Sequence, residues 1–204
     1  MITIVDYGMG NLRSVQKAFE LYCPKVKVSS SASDMLSADK VILPGVGAFG
    51  KAMEELNNRG LVEPIKACVK QGKPFLGICM GIQLLFPDSE EAKGVKGLGI
   101  FKGSVKRFSD NVGLKIPHMG WNRIKRASGR EPVSVLKDVP DGSYMYFVHS
   151  YYVEPEDKSI VACETEYGRT FASGISKDNV YAFQFHPEKS QSAGLKIVKN
   201  FAEL

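Results

Sequence analysis

The spacing of apolar and polar positions divides the chain into two halves of different character. In the first, short apolar runs alternate with stretches of helical period. Ile2 to Asp6 predicts a strand, and the turn Tyr7-Gly8-Met9-Gly10-Asn11 leads into an amphipathic helix to about Tyr22. Lys25 to Ser29 predicts a short strand, and Lys40 to Leu43 a buried one ending at Pro44-Gly45-Val46-Gly47. Helical patterns follow from about Phe49 to Asn57 and from Leu61 to Gln71. The apolar strand Pro74-Phe75-Leu76-Gly77-Ile78 then runs into a helix beginning around Gly81. In the second half the period shortens to that of strands, punctuated by Gly, Pro and Asp. Leu98 to Phe108, Trp121 to Lys125, Tyr144 to His149, Tyr151 to Glu154, Ile160 to Glu166, Thr170 to Ser176 and Val180 to Phe185 all read this way. A last helix covers about Gln191 to Phe201. Strands separated by helices pair in parallel with helices on both faces, so the expected fold is a single α/β domain over residues 1–204. Its central sheet is mixed and largely parallel, with an antiparallel β elaboration in the second half.

Composition narrows the class without naming a chemistry. The chain has 204 residues, 44 % hydrophobic and 24 % charged, ordinary for a globular protein large enough to bury a core. It has no apolar run of membrane-spanning length, and its start lacks the basic lead and apolar core of a signal peptide. The cysteines Cys23, Cys68, Cys79 and Cys163 show no Cys-x-x-Cys or regular spacing, so neither a disulfide framework nor a zinc site is indicated. Cys68 reads as helix core, and the cytoplasm is the expected compartment. The net charge of +5 comes from scattered residues with short clusters at Lys106-Arg107 and Arg123 to Arg126. Without a zinc-finger or RNA-recognition pattern, nucleic acid is not an expected partner, and neither is a membrane.

The chemistry concentrates at Gly77-Ile78-Cys79-Met80-Gly81. A Gly-x-Cys-x-Gly between a strand and a helix is the nucleophile-elbow pattern with sulfur in place of oxygen. Flanking glycines permit a strained backbone, and a helix N-terminus favours a thiolate. An ordinary thiol with a pKa near 8.5 is only about 3 % ionised at neutral pH, so Cys79 needs a base. Phe183-Gln184-Phe185-His186-Pro187-Glu188 offers one: His186 takes the proton, and Glu188, two residues on and on the same side, fixes its tautomer. Pro44-Gly45, Cys79 and His186 all fall at predicted strand ends, where sites collect in such sheets.

A second pattern competes. Gly45-Val46-Gly47-Ala48-Phe49-Gly50 matches the dinucleotide fingerprint, but the acidic residue expected about 20 positions on is replaced by Lys70-Gln71-Gly72. A better use for these glycines is an oxyanion hole made of a backbone N–H of Val46 and that of Met80. Glycines around Val46 also suggest a peptide free to rotate.

In this order, Pro-Gly-Val-Gly, Gly-x-Cys-x-Gly-x-Gln and His-Pro-Glu resemble the triad-type (class I) glutamine amidotransferases. The resemblance spans nearly the whole chain. Pro117-His118-Met119-Gly120-Trp121-Asn122 and the Lys189-Ser190 that trails His-Pro-Glu make it closest to the glutaminase subunits that serve imidazole glycerol phosphate synthases. It implies hydrolysis of glutamine to glutamate and ammonia by Cys79, His186 and Glu188, with no cofactor and no metal. It further implies that Gly47, Gln83, Glu91, Ser150 and Tyr151 hold the glutamine; Ser150 stands where some members have threonine. The implied partner is a (β/α)₈ barrel cyclase in a heterodimer, faced by Asn11, Trp121, Tyr146 and Lys189, with Trp121 in a Gly-Trp-Asn turn. His118 and His149 are expected to hydrogen-bond structurally. Three alternatives stay open: a related subunit feeding surface-sugar amidination or pyridoxal phosphate synthesis, a cysteine hydrolase of the same broad fold, and a non-catalytic binding module.

Overall fold

The computed structural model describes residues 1–109, 113–128 and 133–204. Four strands with buried hydrophobic residues, β1 (Ile2–Val5), β3 (Lys40–Gly45), β4 (Phe75–Cys79) and β13 (Val180–Phe183), lie side by side in parallel, with β2 (Val26–Ser29) outside β1. Because successive side chains point to opposite faces, each strand feeds two cores. Val41, Leu43, Phe75, Val180 and Ala182 join α2 (Ala32–Ser37), α3 (Phe49–Asn58), α4 (Val62–Lys70) and α5 (Met80–Leu84) on one side. Ile2, Ile4, Ile42, Leu76, Ile78 and Phe183 join α1 (Leu12–Glu20) and α6 (Gln191–Ala202) on the other. Two cores flanking one sheet are the expected outcome of strands that are apolar on both faces.

Beyond β13 the sheet turns antiparallel. β12 (Thr170–Lys177), β10 (Tyr151–Pro155) and β6 (Gly103–Arg107) continue it, and the two-residue β5 (Asp88–Ser89) pairs parallel to β6 at the edge. β11 (Val161–Glu166) pairs with β12 and with β8 (Lys125–Arg126). β7 (His118–Arg123) and β9 (Tyr144–His149) form a separate two-stranded antiparallel sheet.

Several sequence expectations shift. Residues 98–102 do not extend a strand from Leu98; Leu98 and Ile100 instead donate to the carbonyls of Leu84 and Leu85 at 2.8 Å each. Those carbonyls end a helix of only five residues, and its last turn needs outside donors. The Gly-Trp-Asn segment is strand rather than turn, since β7 begins three residues before Trp121. α2, at six residues, is too short to show a period in the sequence. Three residues of the basic clusters are engaged within the protein. Lys106 pairs with Glu90 at 3.2 Å, Arg123 lies over the Tyr144 ring, and Arg126 donates to the carbonyls of Leu136 and Val139.

Candidate active site

Three neighbouring parallel strands deliver the site. β3 ends at Gly45, paired with Cys79 at the end of β4, and β13 leads on through Gln184 to His186. Cys79 carries the strain of the elbow itself, at φ +56° and ψ −106°, a conformation that costs on the order of 1–3 kcal/mol. The neighbouring glycines supply clearance rather than unusual torsions. A Cβ on Gly81 would lie 2.0 Å from the Leu43 carbonyl oxygen, and one on Gly45 would lie 2.1 Å from the Tyr7 hydroxyl. At five residues, α5 adds little dipole to the thiol, so the electrostatics of the site come from side chains.

His186 is buried behind Cys79. It is not on β13, which ends at Phe183; a 3₁₀ turn over Pro187–Lys189 swings Glu188 back, so that the imidazole Nδ1 donates to Glu188 Oε1 at 2.8 Å. The pairing expected from a two-residue strand spacing is thus made by a turn. The backbone of His186 is clamped: its N–H donates to the Tyr146 carbonyl at 2.9 Å, and its carbonyl accepts from Ser190 Oγ at 2.6 Å. Its Nε2 is buried with no hydrogen-bond partner. Burial opposes charging of the ring, but Cys79 and Glu188 outweigh it and hold His186 well above imidazole's ordinary range.

A cavity of about 340 Å³ opens onto Cys79. Val46, Gly47 and Met80 line one side, and Gln83, Glu91, Ser150 and Tyr151 the others, so these seven sequence candidates converge on Cys79. Glu91 Oε2 accepts from the Phe49 N–H at 2.7 Å, at the first turn of α3. A carboxylate therefore occupies the helix N-terminus that the dinucleotide fingerprint would have needed for a pyrophosphate. Gln83 spends its amide N–H groups inside the protein, on the Tyr151 carbonyl and Gln184 Oε1 at 3.2 Å each, leaving Oε1 buried and unpartnered.

Other members of the site escaped the sequence reading. Gln184 is fully buried and directs Nε2 at Cys79 Sγ at 3.9 Å; the signal was a lone polar residue between Phe183 and Phe185. Pro117, Val148 and His149 also line the cavity. Tyr7 is buried with its hydroxyl unpartnered, and its pKa is raised by burial and by the charge of Cys79.

Three of the four candidates for a partner face form one column. Lys189 Nζ sits 5.7 Å from the Tyr146 ring, which meets Trp121 at 6.0 Å and His186 at 6.4 Å. Trp121, 46 % exposed, heads this column, with the exposed Met119 on the same strand. Asn11 caps α1 by accepting from the Ser14 N–H at 3.3 Å.

Residues 3–204 match the family model for class-I glutamine amidotransferases. The chain is 51 % identical over 209 residues to the imidazole glycerol phosphate synthase subunit HisH of Syntrophotalea carbinolica, with 100 % of both chains covered. It is 53 % identical over 210 residues to the subunit of that name from Methanocaldococcus jannaschii, again covering 100 % of both. A solved glutamine amidotransferase structure, 14 % identical, superposes with a TM-score of 0.76 over 100 % of this chain and 99 % of its own, a likeness of fold.

Proposed function

This chain belongs to the class-I glutamine amidotransferase family, and we propose that it is the glutaminase subunit of an imidazole glycerol phosphate synthase in histidine biosynthesis. The observation that carries the activity is Cys79 on a strained turn at the wall of a cavity, backed by the buried His186–Glu188 pair. At about 340 Å³ the cavity has room for a single amino acid such as glutamine.

The geometry supports the following course. Cys79 sulfur attacks the side-chain carbonyl carbon of glutamine, and the oxygen takes the electron pair. The N–H groups of Val46 and Met80 hold that oxyanion. With its pKa raised, His186 rests as imidazolium and gives its proton to the departing nitrogen, so ammonia leaves and a γ-glutamyl thioester remains. The now neutral His186 takes a proton from water, whose oxygen attacks the thioester; glutamate leaves and the thiolate is restored. Glu188 keeps Nδ1 protonated throughout. Glu91 accepts from the substrate ammonium and Gln83 Oε1 from a substrate N–H, while Gly47, Ser150 and Tyr151 shape the remaining wall.

The partner in this reading is a (β/α)₈ barrel cyclase that receives ammonia, in a cytoplasmic heterodimer. It docks over Trp121, Tyr146 and Lys189, with Asn11 at the edge. The names of the relatives support a multisubunit synthase, and the aromatic column offers it a route to His186. The decisive experiment co-purifies the chain with the candidate cyclase and assays glutamine-dependent synthesis. Cys79→Ala should abolish it while synthesis from added ammonia persists. Glutamine hydrolysis by Cys79→Ala would remove the nucleophile, and failure to support the cyclase would redirect the chain to another synthase.

A further inference from the structure

β7 and β9 set two buried histidines directly opposite one another, His118 against His149. Their tautomers follow from the groups at either end. The Tyr151 carbonyl can only accept, so His149 Nδ1, 2.7 Å away, carries a proton. In the neutral ring, His149 Nε2 is then an acceptor, and His118 Nδ1 donates to it at 2.9 Å. His118 Nε2 in turn accepts from Asn122 Nδ2 at 3.2 Å. The Asn122 amide is itself oriented, because its oxygen accepts from the Arg123 N–H at 2.8 Å and its nitrogen also donates to the Glu166 carbonyl at 2.9 Å. From Asn122 through His118 and His149 to Tyr151, each donor points toward the active site.

The relay ends on the substrate wall. The Tyr151 carbonyl accepts from Gln83 as well as His149, and His149, Ser150, Tyr151 and Gln83 all line the cavity at Cys79. Aromatic rings hold the imidazoles in plane: His118 stacks between Tyr167, 4.0 Å away, and Phe147, 4.8 Å away. A buried imidazole costs desolvation that a phenyl ring would not. The pair is therefore an expensive way to fill a core and a specific way to fix a carbonyl.

We infer that His118 and His149 are positioning residues for glutamine, acting through the Tyr151 carbonyl to hold the 149–151 wall and the Gln83 side chain in binding geometry. This rests on the proposed glutaminase reading, and it assigns the pair no proton transfer. The relay starts on β7, the strand that carries exposed Met119 and Trp121, so it also ties the substrate wall to that face.

The test is steady-state ammonia release from glutamine by the chain in complex with its cyclase. His149→Phe keeps the ring and loses both hydrogen bonds. It should raise KM for glutamine about tenfold or more while kcat at saturation changes by less than about threefold. His149→Asn places an amide N–H near the position of Nδ1 and should recover most of the loss in KM. An unchanged KM in His149→Phe, or equal losses in both variants, overturns the inference. Should the variants fail to fold, nitrogen-15 histidine spectra of Cys79→Ala decide it. Both rings should be Nδ1–H tautomers, with the His149 signals moving on glutamine addition; Nε2–H tautomers or unmoved signals overturn it. A wild-type complex inactive on glutamine would instead fail the glutaminase reading, whatever the tautomers.

Discussion

At Cys79 the strained torsions and the steric clearance belong to different residues, and substitution can separate them. Gly81→Ala would drive a methyl group into the Leu43 carbonyl oxygen 2.0 Å away, a backbone atom that cannot swing aside. We expect it to cost about 1–3 kcal/mol or more of stability, read by denaturant unfolding, and to displace the nucleophile. The charge balance around His186 is equally separable. Removing the ring in His186→Ala should lower turnover by several orders of magnitude, as removal of a triad base does elsewhere. Glu188→Gln should cost less but change the pH profile in a definite direction. His186 must be protonated to release ammonia, so activity falls as pH rises through its pKa. Loss of the carboxylate lowers that pKa, and the alkaline limb of kcat should therefore move to lower pH. A limb that stays in place would mean that Glu188 does not hold the imidazolium.

Among the elements, the β7–β9 pair carries its own pH dependence. Burial holds His118 down to about 4, and burial with the neighbouring ring charges holds His149 lower still, although the Tyr151 carbonyl works against that shift. The unfolded chain protonates these rings near their ordinary value of about 6.5. Their contribution is thus intact above about pH 6.5 and is lost as pH falls toward about 4, where the unfolded chain binds protons that the folded one excludes. For His118 the difference approaches about 3 kcal/mol at the lower end, by the linkage of pKa shift to stability. Denaturant unfolding between pH 7 and pH 4.5 should show this loss, and His118→Gln should flatten it. A profile with the same slope in that variant would place the acid sensitivity elsewhere. Periodicity located most elements to within a few residues, but it missed α2 and drew a strand through residues 98–102. Both failures are local: six residues are too few to show a period, and 98–102 answers the carbonyls of α5 rather than its own pattern.

For the whole molecule, the prediction concerns control by the partner. Gly47 stands at φ +88° beside Val46, whose N–H is one of the two proposed oxyanion donors. If the isolated chain holds that peptide turned away, it lacks one donor, worth about 2.7–4 kcal/mol or roughly 10²–10³ in rate. The lone subunit should hydrolyse glutamine at least about 10²-fold more slowly than the complex with cyclase and its nucleotide ligand. Trp121→Ala and Lys189→Ala should reduce the stimulation without altering the triad. A full rate from the isolated chain would show that the partner only collects ammonia. The sequence by itself determined the parallel core and singled out Cys79, His186 and Glu188 as the proposed catalytic trio, because Gly77 to Gly81 and His186 to Glu188 are contiguous motifs at the ends of apolar strands. Only the tertiary structure decided that Gln184, His149 and Tyr7 belong with Cys79, and that His118 reaches the substrate wall. Gln184 lies 105 residues from Cys79 and His118 lies 31 from His149, and a hydrogen bond between strands leaves no period in the chain that forms it.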